Sequence, residues 1–482
     1  IHRRTLTILR KEVQPVPFTT YADFLARWQH VIPPLIPPGR GETSSPPVGG
    51  TEGGSLVKLL QQLRALLVVG RIWERDVLPL RLPHYYPADL DALCNSGELV
   101  WIGSGGADPR HGRVRFLFRG EGNVFLSTDA TDFNGKFSVE SAQSVEAVYN
   151  FLKSEGAVFF NDIGEALGLE EKAVEAALIE LVMAGLVTND SLEAMRQIVQ
   201  EGKPQPQAPR QYSSLEADLA RRRAELGLDT RPVGYKPAQA RYRSARQRVR
   251  QRVAQTTQAQ VAPQRWVGRW TLVQRFSIMG KPVSAGEQAA RQARQLLARY
   301  GIVTHECLEN EAGAWDWNLI YQELQRQEMR GEVRRGYFVQ GLSGAQFALP
   351  EVVEQLRALR DATEEAEPVV LNACDPANLY GPSRPESPLT FTRIPSTWLA
   401  QVRGLPVLVA ANTGAAITAA PGVDDGTLQR ALKALFTHLS SFERRIVVET
   451  WNDEPVLDSA GAPLIEAVGG YRYYPGMAWE KR

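Results

Sequence analysis

Two adjacent arginines beside an aromatic residue form the first group that could contact a polyanion. The stretch GEVRRGYFVQG, from Gly331 to Gly341, alternates apolar residues with polar or basic ones, which predicts a short β-ribbon. Arg334 and Arg335 are suited to bidentate phosphate contacts, and Tyr337 could stack on a base. The alternative is an ordinary ribbon whose aromatic residues pack on helices while its arginines are solvated. The pattern predicts a nucleic-acid contact at these three residues and leaves the structural alternative open.

A second basic group lies between residues 231 and 252, where eight Lys or Arg residues occur without an acidic one. Uncompensated cations attract a polyanion in a salt-dependent way, so this stretch also predicts DNA binding. It has no apolar face wide enough to bury, which predicts a solvated helix or an extended arm. A plain solvated linker is the alternative. The arginines predicted to contact nucleic acid here are Arg241, Arg243, Arg246, Arg248, Arg250 and Arg252.

Two acidic residues are candidates for activating a water molecule. Asp375 stands before Pro376 in the stretch NACDPANLYG, and Asn378 follows it. An Asp beside an Asn could orient water for attack on a sugar or a base. The same residues could instead form an Asx-turn that closes a strand connection. Glu480, near the end of the sequence, is the second candidate, with a solvated turn as its alternative.

Several kinds of enzyme site are missing from the sequence. The Gly-Lys pairs at Gly135, Gly202 and Gly280 are followed by Phe or Pro, so no nucleotide-binding P-loop is present. No G-x-S-x-G or H-E-x-x-H motif occurs, and neither the cysteines nor the histidines have metal-ligand spacing. We therefore expect no metal and no cofactor in this chain.

Composition and length are typical of a soluble protein with several domains. The chain has 482 residues, 55 of them basic and 54 acidic, so its net charge says nothing about partners. The odd number of cysteines, 3, excludes a disulfide framework and favours a reducing, cytoplasmic setting. No run of 18 apolar residues occurs, so we expect no membrane partner.

One order of elements recurs along the chain and must position these candidates. The patterns of three stretches predict helices followed by a glycine and a β-ribbon, which is the order of elements in a winged helix. The last part consists of short strand-like runs with two helical segments, which predicts a β-barrel or an α+β domain. The predicted fold is α+β, with tandem winged-helix modules before that C-terminal domain. The predicted parts are winged-helix residues 1–135 and 136–200, a basic linker 201–266, a winged helix 267–365 and a C-terminal domain 366–482.

Several stretches taken together resemble one protein family. They include FLARWQHV, AGLVTND, RRGYFVQGLSGAQFALPEVVEQLR, DPANLYG and EPVLDSAGAPLIEAVGGYRYYPGMAWEKR. Their order resembles the C-terminal region of bacterial large helicase-related (Lhr) proteins, which are superfamily 2 DNA helicases associated with repair. The resemblance covers nearly the whole chain, apart from the Pro- and Gly-rich loop after Ile32 and parts of the basic linker.

The resemblance implies that ATP- and Mg²⁺-dependent 3′-to-5′ motor domains lie outside this chain, which agrees with the missing P-loop and with a first residue, Ile1, that is not Met. It also implies a homo-oligomer, with a tetramer as the expected state. The arrangement is similar to that of AlkZ-type DNA glycosylases, and uracil removal has been proposed within the family. Those glycosylases use a Gln-x-Gln motif on their barrel, whereas QPQ at Gln205–Gln207 lies in the linker here, so no catalytic residue is carried over.

Three functions follow as hypotheses. The first is a DNA-binding and oligomerisation region of an ATP-dependent DNA repair helicase, binding single-stranded or duplex DNA. The second is a glycosylase that removes uracil or a damaged base, for which Asp375 and Glu480 are the candidate acids. The third is a protein-docking scaffold without a DNA role.

Overall fold

The computed structural model describes residues 14–33, 52–105, 108–127, 142–200, 266–362, 366–381 and 387–481. The chain divides into a large compact unit, Ile1–Val199 with Gly268–Arg482, and a second unit, Gln200–Val267. The six arginines predicted to form a basic arm, 241–252, lie outside the described residues. All that follows concerns the large unit.

The first module joins helices to a small antiparallel sheet. Helix-spaced leucines of its second helix, Leu56, Leu59, Leu60 and Leu63, are all buried. Its strands lie in the order β1-β3-β2, and a π-helical turn, Trp73–Val77, connects two short helices. The elements are α1 (Phe18–Trp28), α2 (Glu52–Leu63), β1 (Val68–Val69), α3 (Gly70–Ile72), α4 (Leu78–Arg81), α5 (Pro87–Asn95), β2 (Leu99–Ser104), β3 (Arg113–Phe118) and α6 (Gly122–Phe125).

The second module completes its sheet with a strand from far along the sequence. Its strand order is β4-β6-β5, and both neighbours of β6 run antiparallel to it. The sequence pattern assigns residues 269–272 to the following module, and this pairing corrects that assignment. The elements are α7 (Ala142–Glu155), β4 (Val158–Phe159), α8 (Phe160–Leu167), α9 (Glu171–Met183), β5 (Val187–Asn189), α10 (Leu192–Gln200) and β6 (Arg269–Leu272).

The third module has clear helix boundaries. Ser284 caps its long helix by accepting a hydrogen bond from the amide of Glu287, and Asp316 caps the next helix in the same way. That second helix ends at Gly331, whose positive φ of 78° suits glycine. The elements are α11 (Phe276–Met279), α12 (Ala285–Tyr300), β7 (Ile302–Val303), α13 (Trp317–Arg330), β8 (Arg334–Gly336), β9 (Gln346–Ala348) and α14 (Pro350–Asp361).

The predicted ribbon of this module pairs with a different partner. Strand β8 pairs with β9 rather than within residues 331–341, and Val339 instead forms a bridge with Val16. The side chain of Gln346 explains the departure. Its Oε1 accepts hydrogen bonds from the amides of Phe338 and Val339 at 2.7 and 2.8 Å, which turns the chain away before β9.

The C-terminal region is α+β, without a closed barrel in the part of the chain that the structure describes. A six-stranded mixed sheet has the open order β10-β11-β12-β13-β15-β16, and a separate sheet has the order β14-β18-β17. The predicted β-barrel is therefore wrong, and the α+β alternative is confirmed. The elements are β10 (Val369–Asn372), β11 (Trp398–Val402), β12 (Leu405–Ala411), β13 (Ala416–Ala419), α15 (Asp425–Leu439), β14 (Arg445–Val448), β15 (Thr450–Trp451), β16 (Glu454–Pro455), α16 (Gly461–Ala467), β17 (Tyr471–Tyr473) and β18 (Gly476–Glu480).

Helix α1 lies between the third module and the C-terminal sheet. The indole of Trp28 donates a hydrogen bond to the carbonyl of Ala298, at 2.8 Å, near the end of α12. On the sheet side, Gly404 approaches so closely that a Cβ there would lie 2.0 Å from the carbonyl oxygen of Thr19. Gly404 also has a positive φ of 73°, so this turn requires glycine for two reasons. Helix α1 therefore packs against residues that come much later in the sequence.

Trp270 of β6 tests whether this late strand stabilises the second module. Because its side chain is fully buried, Trp270→Ala should lower the free energy of unfolding by about 3–5 kcal/mol. Urea denaturation followed by circular dichroism measures the change. The control is Phe276→Ala, since Phe276 is 67% exposed and its removal should leave the denaturation midpoint nearly unchanged. Equal effects of the two variants would contradict the assignment of β6 to this core.

Candidate nucleic-acid interface

The predicted wing contact offers only part of its side chains to a partner. Arg334 is exposed, but its Nη1 lies 3.4 Å from Oε1 of Glu354, and Tyr337 is also exposed. Arg335 instead lies over the rings of Tyr321 and Phe347, with its guanidinium carbon 5.9 and 6.0 Å from their centroids. Arg334 and Tyr337 therefore lie at the surface, whereas Arg335 is held against the module, and the nucleic-acid contact at these residues stays a prediction.

The predicted acid Asp375 is fully buried in an ion pair. Its two carboxylate oxygens accept hydrogen bonds from Arg81, at 2.7 and 2.9 Å, and both side chains have no exposed surface. The amide of Ala377 donates to Oδ1 of Asp375 at 2.8 Å, which is the geometry of an Asx-turn. Asn378 continues the turn by donating to the carbonyl of Ala373. This geometry favours the structural alternative, and a catalytic role for Asp375 stays a prediction.

Arg81 was not a sequence candidate, although it completes this buried site. Its guanidinium also donates to the carbonyl of Val77 at 3.0 Å and to Oε1 of Gln29 at 3.2 Å. Arg81 and Asp375 are 294 residues apart, so no local pattern could connect them. The pair links α4 of the first module to the loop that follows β10.

The second predicted acid, Glu480, lies on an accessible surface. Its carboxylate accepts hydrogen bonds from Nε of Arg445 and from the hydroxyl of Tyr471, the latter at 3.1 Å. The hydrogen bond from Arg445, and to a smaller extent that from Tyr471, holds the pKa of Glu480 below its ordinary value. Glu480 is therefore ionised at neutral pH, and it can accept a proton or stabilise positive charge.

The register of the small sheet places further functional groups on the same face as Glu480. Arg445 pairs with Glu480, Tyr471 with Ala478, and Tyr473 with Gly476, so their side chains share one face. On this face Arg445 lies 5.1 Å from the ring centroid of Tyr473. The opposite face is buried in the C-terminal core through Ile446, Val448, Met477 and Trp479.

We call the segment Tyr471–Glu480 the C-terminal hairpin. Its turn carries Tyr474, which is 90% exposed, and its outer face carries Tyr471 and Tyr473 beside Arg445 of β14. Exposed tyrosines beside arginines form the kind of surface on which single-stranded nucleic acid stacks. Sequence reasoning missed this surface, although the tyrosines that alternate along β17 in YRYY give a period-two signal that could have predicted it.

Neither a metal centre nor a membrane span is found among the residues that the structure describes. No group of three or more His, Cys, Asp or Glu side chains there is placed to hold a metal ion. No helix in the same ranges is long and apolar enough to span a bilayer.

The fold and this surface define a protein built from several modules of helices and three-stranded sheets, joined to an α+β region. Two of the modules match patterns described as "Large helicase-related protein, winged-helix domain", over residues 16–119 and 282–368. The chain therefore contains two winged-helix domains of the large helicase-related family. The resemblance found in the sequence is thereby confirmed.

Two curated relatives extend the match beyond these modules. "Lhr helicase/ probable uracil glycosylase" from Mycolicibacterium smegmatis is 30% identical over 390 residues, which are 79% of this chain and 22% of the relative. "Lhr helicase/uracil glycosylase" from Escherichia coli K12 is 27% identical over 494 residues, covering 99% of this chain and 29% of the relative. The chain thus spans less than a third of the length of either protein.

One solved structure aligns with most of the chain. The Streptomyces sahachiroi DNA glycosylase AlkZ covers 88% of this chain and 98% of its own, with a TM-score of 0.43 and 12% identity. A likeness at this level does not identify a shared function.

Asp375→Asn tests the structural role of the buried pair. Loss of the carboxylate charge leaves Arg81 buried without its partner, so the free energy of unfolding should fall by about 3–5 kcal/mol. The double variant Arg81→Met/Asp375→Leu should recover much of this loss, since it leaves no unpaired charge. Urea denaturation measures all three proteins.

The control for this prediction is Glu332→Gln, which removes the exposed partner of Arg330 and should leave the midpoint unchanged. A midpoint for Asp375→Asn equal to that of the unsubstituted protein would show that the buried pair is not a major stabilising contact.

Proposed function

We propose that this chain is a DNA-binding region of a large helicase-related protein and that it removes uracil from DNA at the C-terminal hairpin. The observation that carries the proposal is the ionised carboxylate of Glu480 on an accessible face between Arg445 and Tyr471. The names of the two curated relatives, which include uracil glycosylase, support the choice of base. The finding of winged-helix domains supports a DNA substrate.

Glu480 has the chemistry that hydrolysis of a glycosidic bond requires. The oxygen of a water molecule forms a bond to C1′ of the deoxyribose while the bond from C1′ to N1 of uracil breaks. The electron pair of that bond stays with the uracil ring, which then takes a proton from solvent. The carboxylate accepts the proton of the attacking water and stabilises the positive charge that develops on the sugar.

The neighbours of Glu480 would supply the remaining requirements. A glycosylase reads a base that has left the helical stack, and an aromatic side chain can replace its stacking partner. Tyr473, whose ring lies 5.1 Å from the guanidinium carbon of Arg445, and Tyr474, in the turn of the same hairpin, are both exposed. Arg445 holds the carboxylate before DNA binds and can turn to a backbone phosphate once the DNA arrives.

Glu480→Gln tests the proposed chemistry. The amide keeps the size of the side chain but cannot accept the proton, so excision should slow by about 100-fold or more. The assay incubates the chain with a uracil-containing single-stranded oligonucleotide and cleaves abasic sites with alkali. The control is Glu466→Gln. Glu466 lies outside the hairpin but pairs with Arg472 of the hairpin, so this variant removes a comparable carboxylate.

Glu466→Gln should excise uracil at the rate of the unsubstituted protein. Equal activity of the Glu480→Gln protein would contradict the role of Glu480. Activity that is instead abolished in a folded Asp375→Asn protein would return the catalytic role to Asp375.

A second candidate function is the helicase-related one, favoured by the word helicase in the names of both relatives. In this hypothesis the chain supplies DNA contacts for ATP- and Mg²⁺-dependent motor domains elsewhere in a longer protein. Assembly into a tetramer belongs to the same hypothesis and stays a prediction, which measurement of the mass in solution would test. A protein-docking role without DNA would be supported if the chain ignored single- and double-stranded DNA at low salt.

The basic arm gives a separate prediction about DNA affinity, although its arginines lie outside the described residues. Reversing the charge of Arg241, Arg243, Arg246, Arg248, Arg250 and Arg252 to Glu should weaken DNA binding. It should also flatten the dependence of log K on log salt by about 0.7 for each phosphate of a single strand that the arm no longer neutralises. Fluorescence anisotropy at several salt concentrations measures this slope, and an unchanged slope would remove the arm from the interface.

A further inference from the structure

A second basic site, far from the C-terminal hairpin in sequence, consists of Arg71, Arg113 and Arg393, which all act electrostatically on the thiol of Cys374. We call these three arginines the arginine cluster. Arg71 belongs to α3 and Arg113 begins β3, so both come from the first module. Arg393 and Cys374 belong to the C-terminal region and precede β11.

Backbone pairing brings the two arginines of the first module together. Val69 of β1 pairs with Arg113 of β3, and the amide of Gly70 donates to the carbonyl of Gly112 at 2.9 Å. Arg71 follows Gly70 directly. Both residues therefore lie at the same end of the small sheet.

Hydrogen bonds bring this end of the sheet to the C-terminal region. Arg75, one turn after Arg71, donates to the carbonyl of Pro395 at 2.8 Å. Arg393, two residues before Pro395, donates through Nε to the carbonyl of Ala373 at 3.1 Å, which is adjacent to Cys374. The cluster thus lies where the first module meets the loop after β10.

The electrostatics of Cys374 identify the same three neighbours independently. Burial raises the pKa of this thiol, while Arg393, Arg113 and Arg71 act in the opposite direction, in that order of strength. Burial also lowers the pKa of Arg393 and of Arg71 below the usual arginine range. The guanidinium groups are therefore close enough to the thiol to act on it together.

The carboxylates near the cluster form their ion pairs with other arginines. Asp76 pairs with Arg75, and Asp108 pairs with Arg110. Asp375 is occupied by Arg81. Within the described ranges, none of the arginines of the cluster forms an ion pair with a carboxylate, and like charges held together favour an anionic ligand.

We infer that the arginine cluster is a binding site for a phosphate group of the DNA backbone. Guanidinium groups match the geometry of phosphate oxygens, and convergent arginines from two parts of a protein fix the position of such a group. The inference rests on the DNA-binding part of the proposed function and not on base removal. It adds a contact that would position a strand across the junction of the first module and the C-terminal region.

Cys374 gives a direct readout of occupancy. It is the half-buried cysteine of the chain, whereas Cys94 and Cys307 are buried. Burial raises the pKa of Cys94 to about 12 and that of Cys307 to about 11, and it also keeps the reagent away from both thiols, so the reaction is expected at Cys374. Modification by N-ethylmaleimide therefore reports on the arginine cluster.

The experiment measures the rate of modification of the full chain with and without a saturating single-stranded oligonucleotide that contains thymine and no uracil. Bound DNA should slow the reaction of Cys374 by about five-fold, because it covers the thiol. Anisotropy of the same labelled oligonucleotide verifies that it is bound, and inorganic phosphate without DNA forms a third arm. An unchanged rate in the presence of bound DNA would overturn the inference while leaving the excision proposal intact. Protection by low concentrations of inorganic phosphate but not by bound DNA would assign the site to a free anion and would also overturn it.

Variants provide a second measurement that does not depend on the thiol. Arg71→Gln/Arg113→Gln replaces two exposed side chains and should weaken binding of the thymine oligonucleotide by about five- to ten-fold at low salt, with a shallower salt slope. The matched control is Arg326→Gln/Arg360→Gln, which removes the same charge from two arginines that are paired with carboxylates. Equal weakening in both proteins would show an effect of net charge alone and would contradict a specific site. If the unsubstituted protein binds the oligonucleotide and protects Cys374 but excises no uracil, only the proposed function is contradicted.

Discussion

The buried ion pair between Arg81 and Asp375 is the interaction on which the arrangement of this chain depends. Two charges without exposed surface are expensive to bury, and they are tolerated here because the carboxylate accepts hydrogen bonds from both Arg81 and the amide of Ala377. The pair joins the end of the first module's helices to the first loop of the C-terminal region. Helix α1 reinforces the same junction, since Gln29 donates to the carbonyl of Arg299 and accepts from Arg81.

This constraint separates structural from functional polar groups. Asp375 lies inside the junction, where its charge is neutralised by Arg81. The arginine cluster lies beside the junction, where none of its arginines forms an ion pair with a carboxylate of the described ranges, and Glu480 lies on an accessible sheet face. A strand of DNA would therefore meet cations and tyrosines that are fixed on regular elements, which is the arrangement that positions a substrate for chemistry.

The sequence predicted those features that depend on nearby residues. The order of helix, glycine and ribbon predicted the winged-helix domains that the family comparison confirms. The partners of β6 and of Arg81 could not be predicted, because each contact joins residues separated by long stretches of chain. The prediction of a β-barrel was wrong because the alternating sequence pattern of a strand is the same in a closed barrel and in an open sheet. Of the site, Glu480 was a candidate, but the tyrosines around it required the register of β17 and β18.

The C-terminal hairpin, rather than the wing of the third module, is the surface proposed to hold the base that is to be removed. Photo-crosslinking of a single-stranded oligonucleotide with one 5-iodouracil, followed by mass spectrometry of the linked peptides, tests this most directly. We expect linkage to Tyr473 or Tyr474, which are the exposed tyrosines at and beside the turn of the C-terminal hairpin. Linkage confined to the peptide that contains Arg334 and Tyr337 would contradict the proposed site.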